Sequence, residues 1–327
     1  MHAKCKDYMV LTQTIEQTVA REQFRENYKN FTSVNVLIDH IQLLYDCGGP
    51  NENEYVLLND AMMHFRSLTS DKEWKEACTK ITSIFGDSLK NSTLGHAFLK
   101  PYGYAGDFEI IDKVYQEVIS EDPMLNKWDL FHNQTAATKA VRNRKTFFKD
   151  VLKEKVAQTT DTCQILDVAS GPCRDLLEFF EEKNNQAAHF DCVEADINAI
   201  LHATKLNRHF LPKLRFYNKN IFRFKTEKKY DLVWSAGLFD YFEDKTFTRL
   251  LTRLISFVKP GGELIIGNFA EGNPTEGYME LFLDWYLHHR SPAKLIQLAQ
   301  DAGIEDVSRI KIDKEEEGIN LFMRIQF

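Results

Sequence analysis

Cysteine is scarce and scattered in this chain. Six occur in 327 residues, at positions 5, 47, 78, 163, 173 and 192, with no CxxC pair and no zinc-ligand spacing. That leaves no disulfide framework or metal knuckle to read, and the thiols are expected to be reduced. There is no HExxH run either, so no metal is expected. No apolar stretch approaches the about 20 residues that cross a bilayer, and residues 1–14 show no basic segment followed by an apolar one, so no secretory leader or membrane span is expected. Cations are in deficit, with 41 Lys and Arg against 48 Asp and Glu and a formal charge of −7. Tight binding to a nucleic-acid backbone needs a basic footprint, so no nucleic-acid partner is expected. These absences point to a cytoplasmic protein with a small-molecule partner, and they leave room for a homodimer.

What is present falls into two textures. Residues 15–120 read as helical. Val34, Val36, Leu37, Ile38, Ile41, Leu43, Leu44 and Tyr45 form one apolar-rich run, and Tyr55, Leu57, Leu58, Ala61, Met62, Phe65 and Leu68 fit a helical face. Residues 71–85 read as a further helix, and Cys47-Gly48-Gly49-Pro50-Asn51 as a loop. From Cys163 onward short β-rich runs alternate with helical ones. The strand candidates are residues 163–169, 189–194, 214–217, 230–235, 263–268, 306–312 and 320–327; helices fit at 174–183, 198–208 and 244–257. Strand-helix-strand repetition predicts a parallel sheet with helices on both faces. The last two strands have no helix between them, which predicts a closing antiparallel hairpin. The expected fold class is therefore α/β, a Rossmann-like seven-stranded sheet with an N-terminal helical domain. The boundary is placed near Asn133, giving a helical cap or substrate domain over 1–133 and an α/β domain over 134–327, joined by a long helix over 135–157.

The chemistry concentrates where strands end. The first strand runs into Asp167-Val168-Ala169-Ser170-Gly171-Pro172-Cys173. In an open parallel sheet, ligands bind beyond the carboxyl ends of the strands, where strand order reverses. The dinucleotide fingerprint GxGxxG is missing here. An acid followed by small residues, without a glycine pair, suits a cofactor that carries an ammonium group and no phosphates. Asp167 is the candidate partner of that ammonium, with capping of the next turn as the plain alternative, and Ala169 and Gly171 let a ligand approach the backbone. Pro172 suits a first helical position. Glu194, at the end of the second strand, can accept both hydroxyls of a ribose. Ala195 follows it, and Asp196 reads as a helix N-cap. Asn220 could bond an adenine amino group, with Ile221 against the ring. Ser235 and Ala236 close the fourth strand and face the remainder of the cofactor.

This ordered set resembles the class I S-adenosylmethionine-dependent methyltransferases, over roughly residues 137–327. The resemblance implies S-adenosylmethionine as co-substrate and transfer of its methyl group. It departs from the usual acid-x-Gly-x-Gly-x-Gly loop, since Ala169 and Cys173 replace two glycines. A narrower resemblance rests on Leu99-Lys100-Pro101-Tyr102-Gly103-Tyr104-Ala105-Gly106-Asp107, Val141-Arg142-Asn143-Arg144, Gly237-Leu238-Phe239-Asp240-Tyr241, Gly267-Asn268-Phe269 and Asp284-Trp285 with Arg290. It is similar to the bacterial 3-hydroxy-fatty-acid methyl ester (extracellular factor) biosynthesis methyltransferases. That implies a carboxylate or a 3-hydroxy-fatty-acid-like acceptor and adds Tyr104 and Arg142 to the cofactor side. An O- or N-methyltransferase of another metabolite, or a non-catalytic cofactor-binding regulator, are the alternatives. Tyr241, Asn268, His288 and Arg290 are the candidates on the acceptor side, the last two on an aromatic helix expected over 277–290. Arg290 could clamp an acceptor carboxylate or hold an interhelical ion pair.

Overall fold

The computed structural model describes residues 16–182 and 187–327. Cys5, the N-terminal residues and Lys183 lie outside them. Short, densely apolar runs form most of seven strands: β1 (Cys163–Val168), β2 (Ala188–Glu194), β3 (Leu214–Asn218), β4 (Tyr230–Ser235), β5 (Val258–Phe269), β6 (Ile310–Lys314) and β7 (Asn320–Gln326). Their order across the sheet is β3-β2-β1-β4-β5-β7-β6. The first five are parallel, and β7 inserts antiparallel between β5 and β6. The closing hairpin is thus present, with its second strand on the inside and β6 on the edge. Strand order reverses between β1 and β4, which fixes where a ligand crevice opens.

Both faces of the sheet are covered, so neighbouring residues of one strand serve different cores. Leu166, Val168, Val233, Leu264 and Ile266 pack with Phe247, Leu250, Leu251 and Leu254 of helix Asp244–Ile255 and with Leu295 and Leu298 of helix Pro292–Asp301. Cys163, Ile165, Cys192, Leu232 and Trp234 pack on the other face, under Phe148, Val151 and Leu152 of helix Ala136–Gln158 and Leu176 and Phe179 of helix Arg174–Glu181. Trp234 stacks on Phe148 with centroids 4.2 Å apart. Each such buried side chain contributes about 1.5–3 kcal/mol of transfer free energy.

The described chain divides into two compact units. The helical unit takes the described residues through Ala105, Val118–Thr135 and Pro274–Trp285; the sheet unit takes Gly106–Glu117, Ala136–Asn273 and Tyr286–Phe327. The chain therefore passes between units at several places. Within the helical unit, Ser70 and Glu73 form a capping box that starts helix Asp71–Phe85. Buried Asp129 accepts the N–H groups of Thr93 and Leu94, which open helix Thr93–Leu99, and that of Ser120 in a loop. Helix Glu276–Leu283 belongs to this unit, with Phe282 against Trp128 and the Tyr278 hydroxyl 2.8 Å from His132 Nδ1. The helix expected over 277–290 is therefore shorter than its sequence pattern suggested. Asp284 takes a left-handed φ of 45° and ends it. His288 and His289 lie outside any helix or strand, and Arg290 forms an isolated parallel bridge with Ala270. Pro172 likewise falls outside a helix, because the helix after β1 starts at Arg174.

One buried ion cluster ties the sheet to the long helix that precedes it. Glu263 on β5 is 3% exposed and accepts from Arg324 on β7 at 2.6 and 3.1 Å and from Lys155 at 2.7 Å. Removing the carboxylate leaves two cations facing each other with little water. Glu263→Ala is expected to cost about 3–5 kcal/mol, measured as a lower urea midpoint with an unchanged slope.

Candidate cofactor and acceptor site

The loop after β1 has an unusual backbone. Ala169, Gly171 and Cys173 take φ values of 55°, 56° and 53°. The two residues that stand in place of glycine thus keep the left-handed geometry that glycine adopts freely, at about 1–2 kcal/mol each. Main-chain bonds hold the loop in place: Ala169 N–H donates to Val193 O at 2.8 Å, and Ser235 Oγ donates to Val168 O at 3.1 Å. The ends of β1, β2 and β4 are thereby fastened together.

Three carboxylates gather there. Asp167 is 3% exposed, and burial, then the nearby charges of Asp175 and Glu194, push its carboxyl well above the usual range. Burial raises Asp175 to about 6, against the pull of the Leu176 N–H and Arg144. Glu194 is raised by burial although its oxygens accept the N–H groups of Gly171, Ala195 and Asp196 at 3.0, 2.7 and 2.9 Å. Those bonds aim the Glu194 carboxylate and leave acceptor capacity on it. Asp196 caps the next helix through Asn198 N–H, as expected. The cluster is one where a ligand bearing positive charge is favoured. Ser170 Oγ and Arg144 Nε, both buried, have no hydrogen-bond partner, so the site also offers unfilled donors. An acid cluster, an aimed carboxylate and orphan donors fit an adenosine carrying an amino-acid tail.

Asn220 and Ile221 follow β3. Asn220 is exposed, with Oδ1 accepting Phe222 N–H at 2.9 Å, and Ile221 is buried. Arg142 lies on the long helix with Nε 3.5 Å from Glu117. Tyr104 lies in the helical unit, exposed on the loop before Asp107.

On the acceptor side, Asp240, Asn268 and Arg290 form one buried knot. Arg290 donates to Asn268 Oδ1 at 2.8 Å, to the carbonyls of Phe239 and Phe242 and to Asp244, and its guanidinium lies 4.7 Å over the Phe247 ring. Asn268 Nδ2 donates to the carbonyls of Phe269 and His288 at 2.8 and 2.9 Å. Asp240 accepts Phe269 N–H at 2.5 Å, and its carbonyl accepts His288 N–H at 2.7 Å. Burial raises the Asp240 carboxyl to about 6, against that N–H and the charges of Arg144 and Arg290. The Tyr241 and His288 side chains are exposed.

Two features escaped the sequence reading. Asp167, Cys173 and Cys192 converge with ligand atoms all within 4.8 Å of one another, a group that could hold a metal ion and that no sequence spacing announces. The contact with Cys192 pulls the Cys173 thiol down, but burial and the charges of Asp167 and Asp175 leave it raised; the same contact and burial push Cys192 well up. Arg144 is buried, whereas Arg142 is only partly so. The signal for it was present: it shares the apolar stripe of Val141, Phe148 and Val151 at helical spacing.

A family model described as a methyltransferase domain matches residues 165–262. No curated protein matches the chain. Among solved structures, a "possible exported protein" from Bordetella parapertussis superposes with a TM-score of 0.60 at 15% identity, over 90% of this chain and 96% of that one. Magnesium protoporphyrin IX methyltransferase from Synechocystis, with bound S-adenosylmethionine, gives 0.43 at 13% identity over 58% of this chain and 83% of its own. An N-methyltransferase from Bradyrhizobium japonicum, with S-adenosylhomocysteine, gives 0.42 at 14% identity over 66% and 97%. The first of these shows a shared fold. With the strand order, the matched segment gives the chain a methyltransferase domain on a Rossmann-like sheet, and the chain is an enzyme of the methyltransferase class.

Proposed function

We propose that this enzyme methylates a small molecule whose acceptor group is a carboxylate, on a 3-hydroxy-fatty-acid-like or related acid. The observation that carries this reading is the knot beside the end of β4. Asp240, Asn268 and Arg290 are bonded to one another's segments, so these polar groups hold the chain rather than a substrate proton. An alcohol or a protonated amine needs a base as it attacks, whereas a carboxylate is already nucleophilic at neutral pH. Transfer then depends on proximity, alignment and exclusion of water.

When bound, S-adenosylmethionine supplies an electrophilic methyl group on its sulfonium. The chain's own residues do the rest. Asp167 takes the ammonium, Glu194 the ribose hydroxyls, Asn220 and Ile221 the adenine, and Ala169, Gly171, Ser235 and Ala236 let the tail lie close to the backbone. Tyr241 and His288 are the side chains assigned to the acceptor. A second reading, an O- or N-methyltransferase of another metabolite, is favoured by the exposure of His288 beside Asp240, since an imidazole there could serve as a base.

Turnover of S-adenosylmethionine with panels of 3-hydroxy acids, simple fatty acids, phenols and amines separates these readings. Acid-dependent release of S-adenosylhomocysteine is expected, with His288→Ala losing less than about threefold in kcat. Turnover confined to phenols or amines, with a large loss in His288→Ala, would establish the second reading.

Two further outcomes follow from the carboxylate cluster. Asp167→Asn removes repulsion among acids and also removes the partner of the ammonium. Its ligand-free melting temperature is expected to rise while its affinity for S-adenosylmethionine falls at least tenfold, by differential scanning fluorimetry and calorimetry. The pH dependence has a definite sign. Asp175 and Asp240 ionise near 6 when folded and near 3.8 when unfolded, so the folded chain holds more protons across that window. Their ionisation opposes folding by about 3 kcal/mol each above pH 6. The ligand-free protein is therefore expected to lose stability as pH rises from 4.5 to 6.5. The melting shift produced by saturating S-adenosylmethionine is expected to be larger at pH 7.5 than at pH 5.

A further inference from the structure

Asp167 on β1 and Cys192 on β2 are direct partners in the parallel register, so their side chains leave the sheet on the same face. Cys173 joins them from the loop after β1, where it stands as N-cap of helix Arg174–Glu181 with a left-handed φ of 53°. Its main chain is held there by Asn207, whose Nδ2 donates to Cys173 O at 3.1 Å and to Ala203 O at 3.0 Å. The Cys173 thiol itself reaches the carbonyls of Ser170 and Gly171 only at 3.6 and 3.9 Å, so neither contact commits it. The two sulfurs and a carboxylate oxygen of Asp167 all lie within 4.8 Å of one another, and all three residues are buried. Three separate pieces of backbone thus bring three potential ligand atoms to one point.

The donor set decides which ion suits that point. Two sulfurs select a soft or borderline cation over magnesium or calcium, which take oxygen ligands. A tetrahedral zinc, with sulfur at about 2.3 Å and oxygen at about 2.0–2.2 Å, spaces its ligand atoms about 3.6–3.8 Å apart. Small side-chain movements bring the three atoms to that spacing. Three protein ligands leave the fourth position open, which marks an exchangeable site rather than a closed structural one. A dication there also neutralises Asp167, whose ionisation is opposed by burial and by the charges of Asp175 and Glu194. We propose that Asp167, Cys173 and Cys192 form a site for a thiophilic divalent cation of the zinc class, and that this metal and the cofactor compete for Asp167. Binding forms two metal–thiolate bonds and one metal–carboxylate bond, the thiol protons leave to bulk water, and no oxidation state changes. The competition, unlike the metal site, rests on the cofactor reading above.

The test is titration of the metal-free full chain with cobalt, under a non-thiol reductant that keeps both thiols reduced. Wild-type protein is expected to develop a cobalt–thiolate charge-transfer band in the near ultraviolet, which added zinc bleaches. Cys173→Ser and Cys192→Ser should each weaken cobalt binding at least about tenfold, while binding S-adenosylhomocysteine in metal-free buffer within about threefold of wild type. By calorimetry, saturating cobalt should weaken S-adenosylhomocysteine at least about tenfold in wild type, and the ligand should weaken cobalt by the same factor. A wild-type protein without the band overturns the metal site, as does a band that survives both substitutions unchanged. If one serine variant does not fold, the other and the wild-type titration decide. A band accompanied by unchanged affinity for S-adenosylhomocysteine overturns the competition. Metal-free protein that does not bind S-adenosylhomocysteine overturns the cofactor reading itself, a result on which the cobalt band does not depend.

Discussion

Like charge held in a confined space is the constraint on which the site depends. Asp167, Asp175 and Glu194 are kept near one another by the register of β1 and β2 and by the loop between β1 and its helix. Left to themselves, such groups would move apart or take up protons. They stay because the strand ends are fastened through Ala169, Ser235 and the three N–H groups on Glu194. That repulsion weakens the fold at this point, and a positive group placed among the three would relieve it.

The same economy of bonding explains why two kinds of polar residue stand side by side. Around Arg290 every donor has a near acceptor, and the group acts as a rivet that holds the segment after β4 against the end of β5. Around Arg144 the bonding is incomplete. Both arginines are buried and both are close to Asp240, but one closes a structural circuit and the other leaves it open. Completeness of hydrogen bonding, more than burial or residue type, sets the two arginines apart.

The strands were legible because a sheet covered on both faces writes dense apolar runs such as Cys163–Val168 and Tyr230–Ser235 into the sequence. Glu194 was legible because it ends such a run. The residues that turned on three-dimensional detail were less so. Arg142 and Arg144 point to opposite sides of their helix, about 200° apart, and only the apolar stripe tells which one faces inward. Helical periodicity persists through residues 284–290, yet the left-handed turn at Asp284 and the pull of Arg290 toward the sheet end the helix early. Cys173 and Cys192 meet because two separate segments come into register, which spacing along the chain does not encode.

The helix Glu276–Leu283 has a bearing on how the protein can be taken apart. It follows β5 in the chain but packs among the helices of the N-terminal unit, with the residues from Gly277 to Leu283 buried there. A fragment beginning near residue 134 would keep this helix and lose the surfaces that cover it. It would carry Tyr278, Leu281 and Phe282 into water and invite association with other chains. The two units are thus interleaved along the sequence, and neither is a single uninterrupted stretch of chain.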